Sequence, residues 1–196
     1  MNQIPATDGF FSAYAERLGG ALHAMDWSAV GLLAAALTEC WRNDRQVFLC
    51  GNGGSAGNAV HLATDFLYGI GKERFPGMRA HALSANTAIL TCLGNDLGYE
   101  HIFSRQLETM ANPGDLLIAF SGSGNSANIL AAIEAAKNRQ MRTFAVLGYD
   151  GGKAKAMVDV PIHFAIDDMQ MAEDLQLIVG HMLMQWLYAH PAVFCH

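Results

Sequence analysis

The sequence predicts an α/β protein: a flavodoxin-like, doubly wound, five-stranded parallel sheet with an N-terminal helical extension. Three observations predict it. Short apolar runs at 47–50 (VFLC) and 116–120 (LLIAF) are too brief for helices and read as strands buried on both faces. Helical patterns alternate with such runs, the signature of parallel strands joined by right-handed crossovers. Glycine-rich turns follow two of the strands, and open α/β sheets hold their ligands at those strand ends.

In chain order, 10–25 and 28–43 carry apolar residues at helical spacing, with Asp26 or Ser28 as the cap between them. Val30, Leu33, Ala34 and Leu37 form one stripe of the second helix. Two helices are more than one sheet needs; the extension either covers the sheet or packs on a second subunit. After the first strand and its helix come a short strand at 79–84, a helix at 85–94, a turn-rich loop at 95–100 and a helix at 101–110. Asn112-Pro113-Gly114-Asp115 is a turn, followed by the 116–120 strand, a serine-rich loop and an Ala-rich helix at 127–139. A strand at 143–147, a short helix at 153–157, a strand at 160–164 and a last helix at 170–188 complete the order. The whole reads as one domain, 1–196, with helices in 1–44 and the ligand-binding core in 45–190.

With 196 residues, the chain is long enough to bury a sizeable core, and its 52% apolar and 15% charged composition argues against disorder. The net charge of −6 gives no reason to expect nucleic acid, so an anionic ligand must be held locally by N–H groups and hydroxyls. The first eight residues lack the basic and apolar segments of a signal peptide, and no apolar run approaches the roughly 18 residues of a membrane span. Cys40, Cys50, Cys92 and Cys195 form no C-x-x-C pair, and three of them sit in apolar surroundings. Reduced thiols and a cytoplasmic protein with no membrane partner are expected.

Two turns carry the functional signal. Gly51-Asn52-Gly53-Gly54-Ser55-Ala56 and Gly122-Ser123-Gly124-Asn125-Ser126-Ala127 share G-x-G-x-S-A, each after an apolar strand and before a helix. Bare backbone and first-turn N–H groups there suit a phosphate, and Ser121, Ser123 and Ser126 add hydroxyls. Each turn also fits the relaxed dinucleotide pattern, but the second strand ends Ala82-Leu83-Ser84 without the acidic residue that a ribose wants. Plain structural turns are the third alternative. Downstream of the first turn, His61 and Asp65 are four apart and share a helix face. A His and a carboxylate below a phosphate cradle point to chemistry on a phosphorylated small molecule, though an i, i+4 surface pair has the same spacing.

From about residue 40 to 188 the chain resembles sugar isomerase (SIS) domains, and among them the phosphoheptose isomerase family. The resemblance rests on 51–55 (GNGGS), 95–100 (NDLGYE), 121–126 (SGSGNS), 148–152 (GYDGG) and the last helix reaching His181. It implies a homotetramer with active sites between subunits, and an aldose–ketose isomerase taking sedoheptulose 7-phosphate to D-glycero-D-manno-heptose 7-phosphate through an enediol. The product would serve lipopolysaccharide core, capsule or another heptose-containing glycan. It further implies substrate contacts from Asn52, Gly53, Gly54, Ser55, Asn95, Asp96, Ser121, Gly122, Ser123, Ser126 and Glu173. Zinc is implied at His61, Asp65, Glu173 and His181, with Asp65 as base and His181 as acid and relay. Asp65 stands where the family has Glu, and Glu173 where it has Gln; Asp174 or Gln176 are alternatives to Glu173, because 173 and 181 lie about 12 Å apart along a helix. Asp96 is also readable as a turn cap. Gly69 and Gln170 replace a family Arg and Asp that bind the open-chain sugar, which keeps another sugar phosphate open as substrate. A non-catalytic binding protein, similar to the DnaA initiator-associating protein, is the remaining alternative.

Overall fold

Strands β1 (Gln46–Cys50) and β3 (Leu116–Ser121) lie side by side and are buried along their whole length. The computed structural model describes residues 9–191; the expectations for the first eight residues and for Cys195 lie outside them. With β2 (Arg79–Ala82), β4 (Arg142–Leu147) and β5 (Val160–His163), they form one parallel sheet in the order β2-β1-β3-β4-β5. That is the flavodoxin-like order, with its switch point between β1 and β3. Val47 pairs with Leu116 and Cys50 with Ala119, so the two glycine turns leave neighbouring strands at nearly the same level.

The period-two alternation of the strands feeds two cores. Val47 and Leu49 face a layer made by α2 (Ser28–Arg42), α3 (Gly54–Thr64) and α8 (Met169–Ala189), with Leu37, Leu62, Phe66, Leu175 and Val179 at its centre. Phe48 and Cys50 face the opposite layer, where Phe103, Leu107, Ile129 and Ile133 pack from α5 (Ser104–Met110), α6 (Ala127–Asn138) and the turn before α5. A short α7 (Gly152–Met157) joins β4 to β5.

The extension divides in two. The expected stripe of α2, Val30, Leu33, Ala34 and Leu37, is buried against the sheet. Helix α1 (Phe10–His23) buries no residue completely, and Phe10 and Phe11 are 71% and 70% exposed. Two polar contacts fasten it to the start of α8: Tyr14 Oη donates to Asp174 at 2.6 Å, and Arg17 donates to Asp168 at 2.8 Å. The Tyr14 bond pushes that phenol up to about 12. Asp168 also caps α8 by accepting from the Met171 N–H, and that bond, with Arg17, holds its carboxyl below the usual range. Between α1 and α2, Asp26 accepts from both the N–H and the hydroxyl of Ser28.

Several boundaries differ from those expected, most of all around α4 and α5. Asn86 accepts from the Ala88 and Ile89 N–H groups, so α4 (Thr87–Asp96) starts two residues late and includes Asn95 and Asp96 in its last turn. The loop expected at 95–100 is therefore only Leu97 and Gly98, whose φ of 101° breaks the helix, followed by a 3₁₀ turn at Tyr99–His101. Helix α5 begins at Ser104, three residues after the position expected. Helix α3 ends at Thr64, and Asp65–Gly69 continues it as one π turn. Cys40 and Cys50 are buried free thiols, and burial pushes Cys50 up to about 12; Cys92 is exposed and bonds Asp96. No single helix among the described residues is long and apolar enough to cross a membrane.

Candidate active site

The two glycine turns enclose a small polar pocket. Asn52, Ser55, Ser121, Gly122, Ser123, Ser126, Met169 and Glu173 line a cavity of about 80 Å³ at the β1 and β3 strand ends. Ser55 and Ser121 are buried, and Ser126 caps α6 without spending its side chain on that cap. The loop holds its shape through its own hydroxyls: Ser121 Oγ accepts from the Gly124 N–H at 3.0 Å and Ser123 Oγ from the Asn125 N–H at 3.3 Å. Hydroxyls at the starts of α3 and α6, over first-turn N–H groups, suit an anion with several acceptor oxygens. Gly53 has a φ of 57°, and a Cβ at Gly54 would collide with the Glu173 carboxylate.

Asn52, on the pocket wall, is also a structural tie. Its amide forms a reciprocal pair with Asn128, both bonds 2.8 Å, and its Oδ1 also accepts from Tyr99 Oη at 3.1 Å. The first turn, α6 and the 3₁₀ turn are thereby tied together. Asn128 and Tyr99 were not among the expected site residues. The signal for Asn128 was there, a polar side chain near the start of an Ala-rich helix, but its partner lies 76 positions away.

Further along α3 and α8 lies a second polar cluster. His61 Nε2 and His181 Nε2 are 2.9 Å apart, with Asp65 Oδ2 at 3.5 Å from the first and 3.7 Å from the second. These three ligand-type atoms lie within 4.8 Å of one another. Two imidazoles and a carboxylate converging on one point fit a three-ligand catalytic zinc, which leaves a fourth position for water or substrate. His61 is exposed, while Asp65 and His181 are half-buried, so solvent and substrate have access.

Glu173 does not join this cluster. It lies eight positions before His181 on one continuous helix, about 12 Å of rise, and its carboxylate sits over Gly54 on the wall of the serine pocket. The alternatives on the same helix do not join it either. Asp174 accepts from Tyr14, and Gln176 is buried with its Oε1 accepting from Asn58. Asn95 and Asp96 are exposed on α4, bonded to each other and not on the pocket wall. Gly69 is buried one turn after Asp65, and Gln170 is exposed in the first turn of α8.

Comparison with known proteins places this arrangement. The family model described as the SIS domain matches residues 10–148. A phosphoheptose isomerase of Rhodospirillum rubrum is 42% identical over 79% of this chain and 82% of its own length. The chain belongs to the SIS-domain family of phosphoheptose isomerases. A second family member, the phosphoheptose isomerase of Nitratiruptor sp., is 41% identical over 74% of this chain and 77% of its own. Among solved structures, the phosphoheptose isomerase of Neisseria gonorrhoeae superposes with a TM-score of 0.86 at 30% identity, covering 94% of this chain and 100% of that one. The family model begins at Phe10, so it takes in both extension helices.

Proposed function

We propose that this chain is a ketose–aldose isomerase converting sedoheptulose 7-phosphate to D-glycero-D-manno-heptose 7-phosphate. One observation carries the proposal. The helices that wall the serine pocket, α3 and α8, also bring a carboxylate and two imidazoles to a single point. The phosphate end of a substrate has a polar cradle, and the carbonyl end has groups able to move protons. The phosphoheptose isomerases named above lend the substrate its identity.

In this mechanism Ser55, Ser121, Ser123 and Ser126 hold the phosphate, with Gly53, Gly54 and Gly122 admitting it to bare backbone. Asp65 removes a proton from C1 of the open-chain ketose. His181 protonates the C2 oxygen as the enediol forms, then accepts the proton of the C1 hydroxyl. Asp65, its proton exchanged with solvent while the enediol stands, protonates C2, which completes the aldehyde at C1 with no net gain or loss of atoms. His61, Asp65 and His181 are the residues that would hold zinc; while bound, the ion would supply Lewis-acid polarisation of the substrate carbonyl in place of the proton that His181 gives to the C2 oxygen in its absence.

The assembly that goes with this reading is a homotetramer with sites between subunits. The uncovered apolar residues of α1, Phe10 and Phe11, are available for such an assembly. A cytoplasmic site of action accords with a sugar phosphate substrate. Another ketose phosphate is the second reading, favoured by Gly69 beside the cluster and the exposed Gln170, neither of which offers a charge to the sugar. The gathered cluster favours catalysis over a purely binding role.

The test is turnover of sedoheptulose 7-phosphate by purified protein, with metal content measured on the same sample. The expected result is heptose 7-phosphate formation with about one zinc per chain. Turnover of a different ketose phosphate alone would select the second reading.

A further inference from the structure

The two histidines of the cluster sit directly beside a tight contact between α3 and α8. Gly180 immediately precedes His181, and Leu62 immediately follows His61. A Cβ at Gly180 would overlap both terminal methyls of Leu62, and would lie 2.8 Å from its Cγ. Leu62 is fully buried, so it has no room to turn aside. A glycine within a 21-residue helix is otherwise unfavourable relative to alanine, because its backbone gives up more freedom on folding. Here its backbone is the surface on which Leu62 packs.

A second fixed point lies further along the same pair of helices. Asn58 Nδ2 donates to the Glu173 carbonyl at 2.9 Å and to Gln176 Oε1 at 3.2 Å. Together the Asn58 clamp and the Leu62–Gly180 contact set both the register and the separation of α3 and α8. Because His61 rides on one helix and His181 on the other, that separation fixes the 2.9 Å between their Nε2 atoms.

We infer that Gly180 and Leu62 are positioning residues for the imidazole pair, and that their contact sets the affinity of the cluster for a metal ion. This rests on the metal-assisted isomerase reading above. Neither residue touches substrate or metal. Their role is to bring two donor atoms to a spacing that one ion can bridge, as supporting groups around a metal site do.

The experiment measures zinc affinity by competition with a chromophoric chelator, on zinc alone, with circular dichroism on each sample. Gly180→Ala is expected to weaken zinc binding roughly 10- to 100-fold, the range for loss of a supporting contact. Gly57→Ala makes the same change on α3 where a Cβ meets open space, and is expected to leave affinity unchanged. The double variant Gly180→Ala with Leu62→Ala removes the collision and is expected to regain most of the lost affinity. Should Gly180→Ala not fold, the double variant carries the test by the same readout. An unchanged affinity in Gly180→Ala, or a folded double variant that fails to bind zinc, would overturn the inference while leaving the site reading intact. Absence of zinc uptake by the unsubstituted chain would instead overturn the metal reading on which the inference stands.

Discussion

His181→Ala is expected to lower kcat about 100- to 10,000-fold, the range contributed by a positioned general acid–base group. The fold should not change. His181 is half-buried at the end of the α3–α8 seam, and its side-chain contacts are with His61 and Asp65. The core residues nearby, Val179, Leu183 and Leu187, keep their packing without it. Steady-state kinetics beside a thermal melt distinguish the two effects. A kcat within the range of the unsubstituted enzyme would remove His181 from the proton-transfer scheme.

Asn128→Ala carries the second large effect, and it acts on the other end of the substrate. Asn128 is 1% exposed and completes a reciprocal amide pair with Asn52. Truncation leaves the half-buried Asn52 Nδ2 group, on the pocket wall, without its protein partner, a loss of about 0.5–1.5 kcal/mol for one hydrogen bond. It also releases the tie between the first glycine turn and α6, on whose N-terminus Ser126 sits. A KM rise larger than the fall in kcat is expected, because the phosphate cradle loosens while the cluster on α3 and α8 is untouched. Urea unfolding and a substrate titration check both halves. Equal losses in kcat and kcat/KM would indicate that Asn128 serves the chemical step instead.

The parts of the fold that were legible in the sequence are those dictated by one dominant force. β1 and β3 are buried on both faces, so their sequences are continuous apolar runs with a glycine immediately after, and nothing local competes with that signal. The stripe of α2 was legible for the same reason. Boundaries were less so where local contacts and single glycines decide them: the Asn86 cap sets the start of α4, and the helix runs on through Asn95 and Asp96 until Gly98 breaks it. The π turn at Asp65 left no trace in the spacing, because His61 and Asp65 share a face in either geometry.

The candidate site divides along similar lines. His61 and Asp65 are four apart on one helix, and the glycine turns repeat a motif, so both are visible locally. His181 is 120 positions from His61, and only the family resemblance connected them. Glu173 is placed by the resemblance both on the substrate and on the metal; in this chain its carboxylate lies on the wall of the serine pocket, about 12 Å of helix rise from His181. The Asn52–Asn128–Tyr99 network joins three separate elements, and such pairings are set by tertiary packing alone.

The central claim is that the Asp65 carboxylate, at the end of α3, moves a proton between two substrate carbons. Conversion of sedoheptulose 7-phosphate in heavy water tests it most directly, with the product examined for carbon-bound deuterium. Asp65 has an 18% exposed side chain, so its transferred proton has access to solvent exchange. The account predicts an aldose product carrying deuterium at C2, through an enediol. A product formed at full rate with no carbon-bound deuterium would contradict it, because the hydrogen would then have moved between carbons without passing through an exchangeable base.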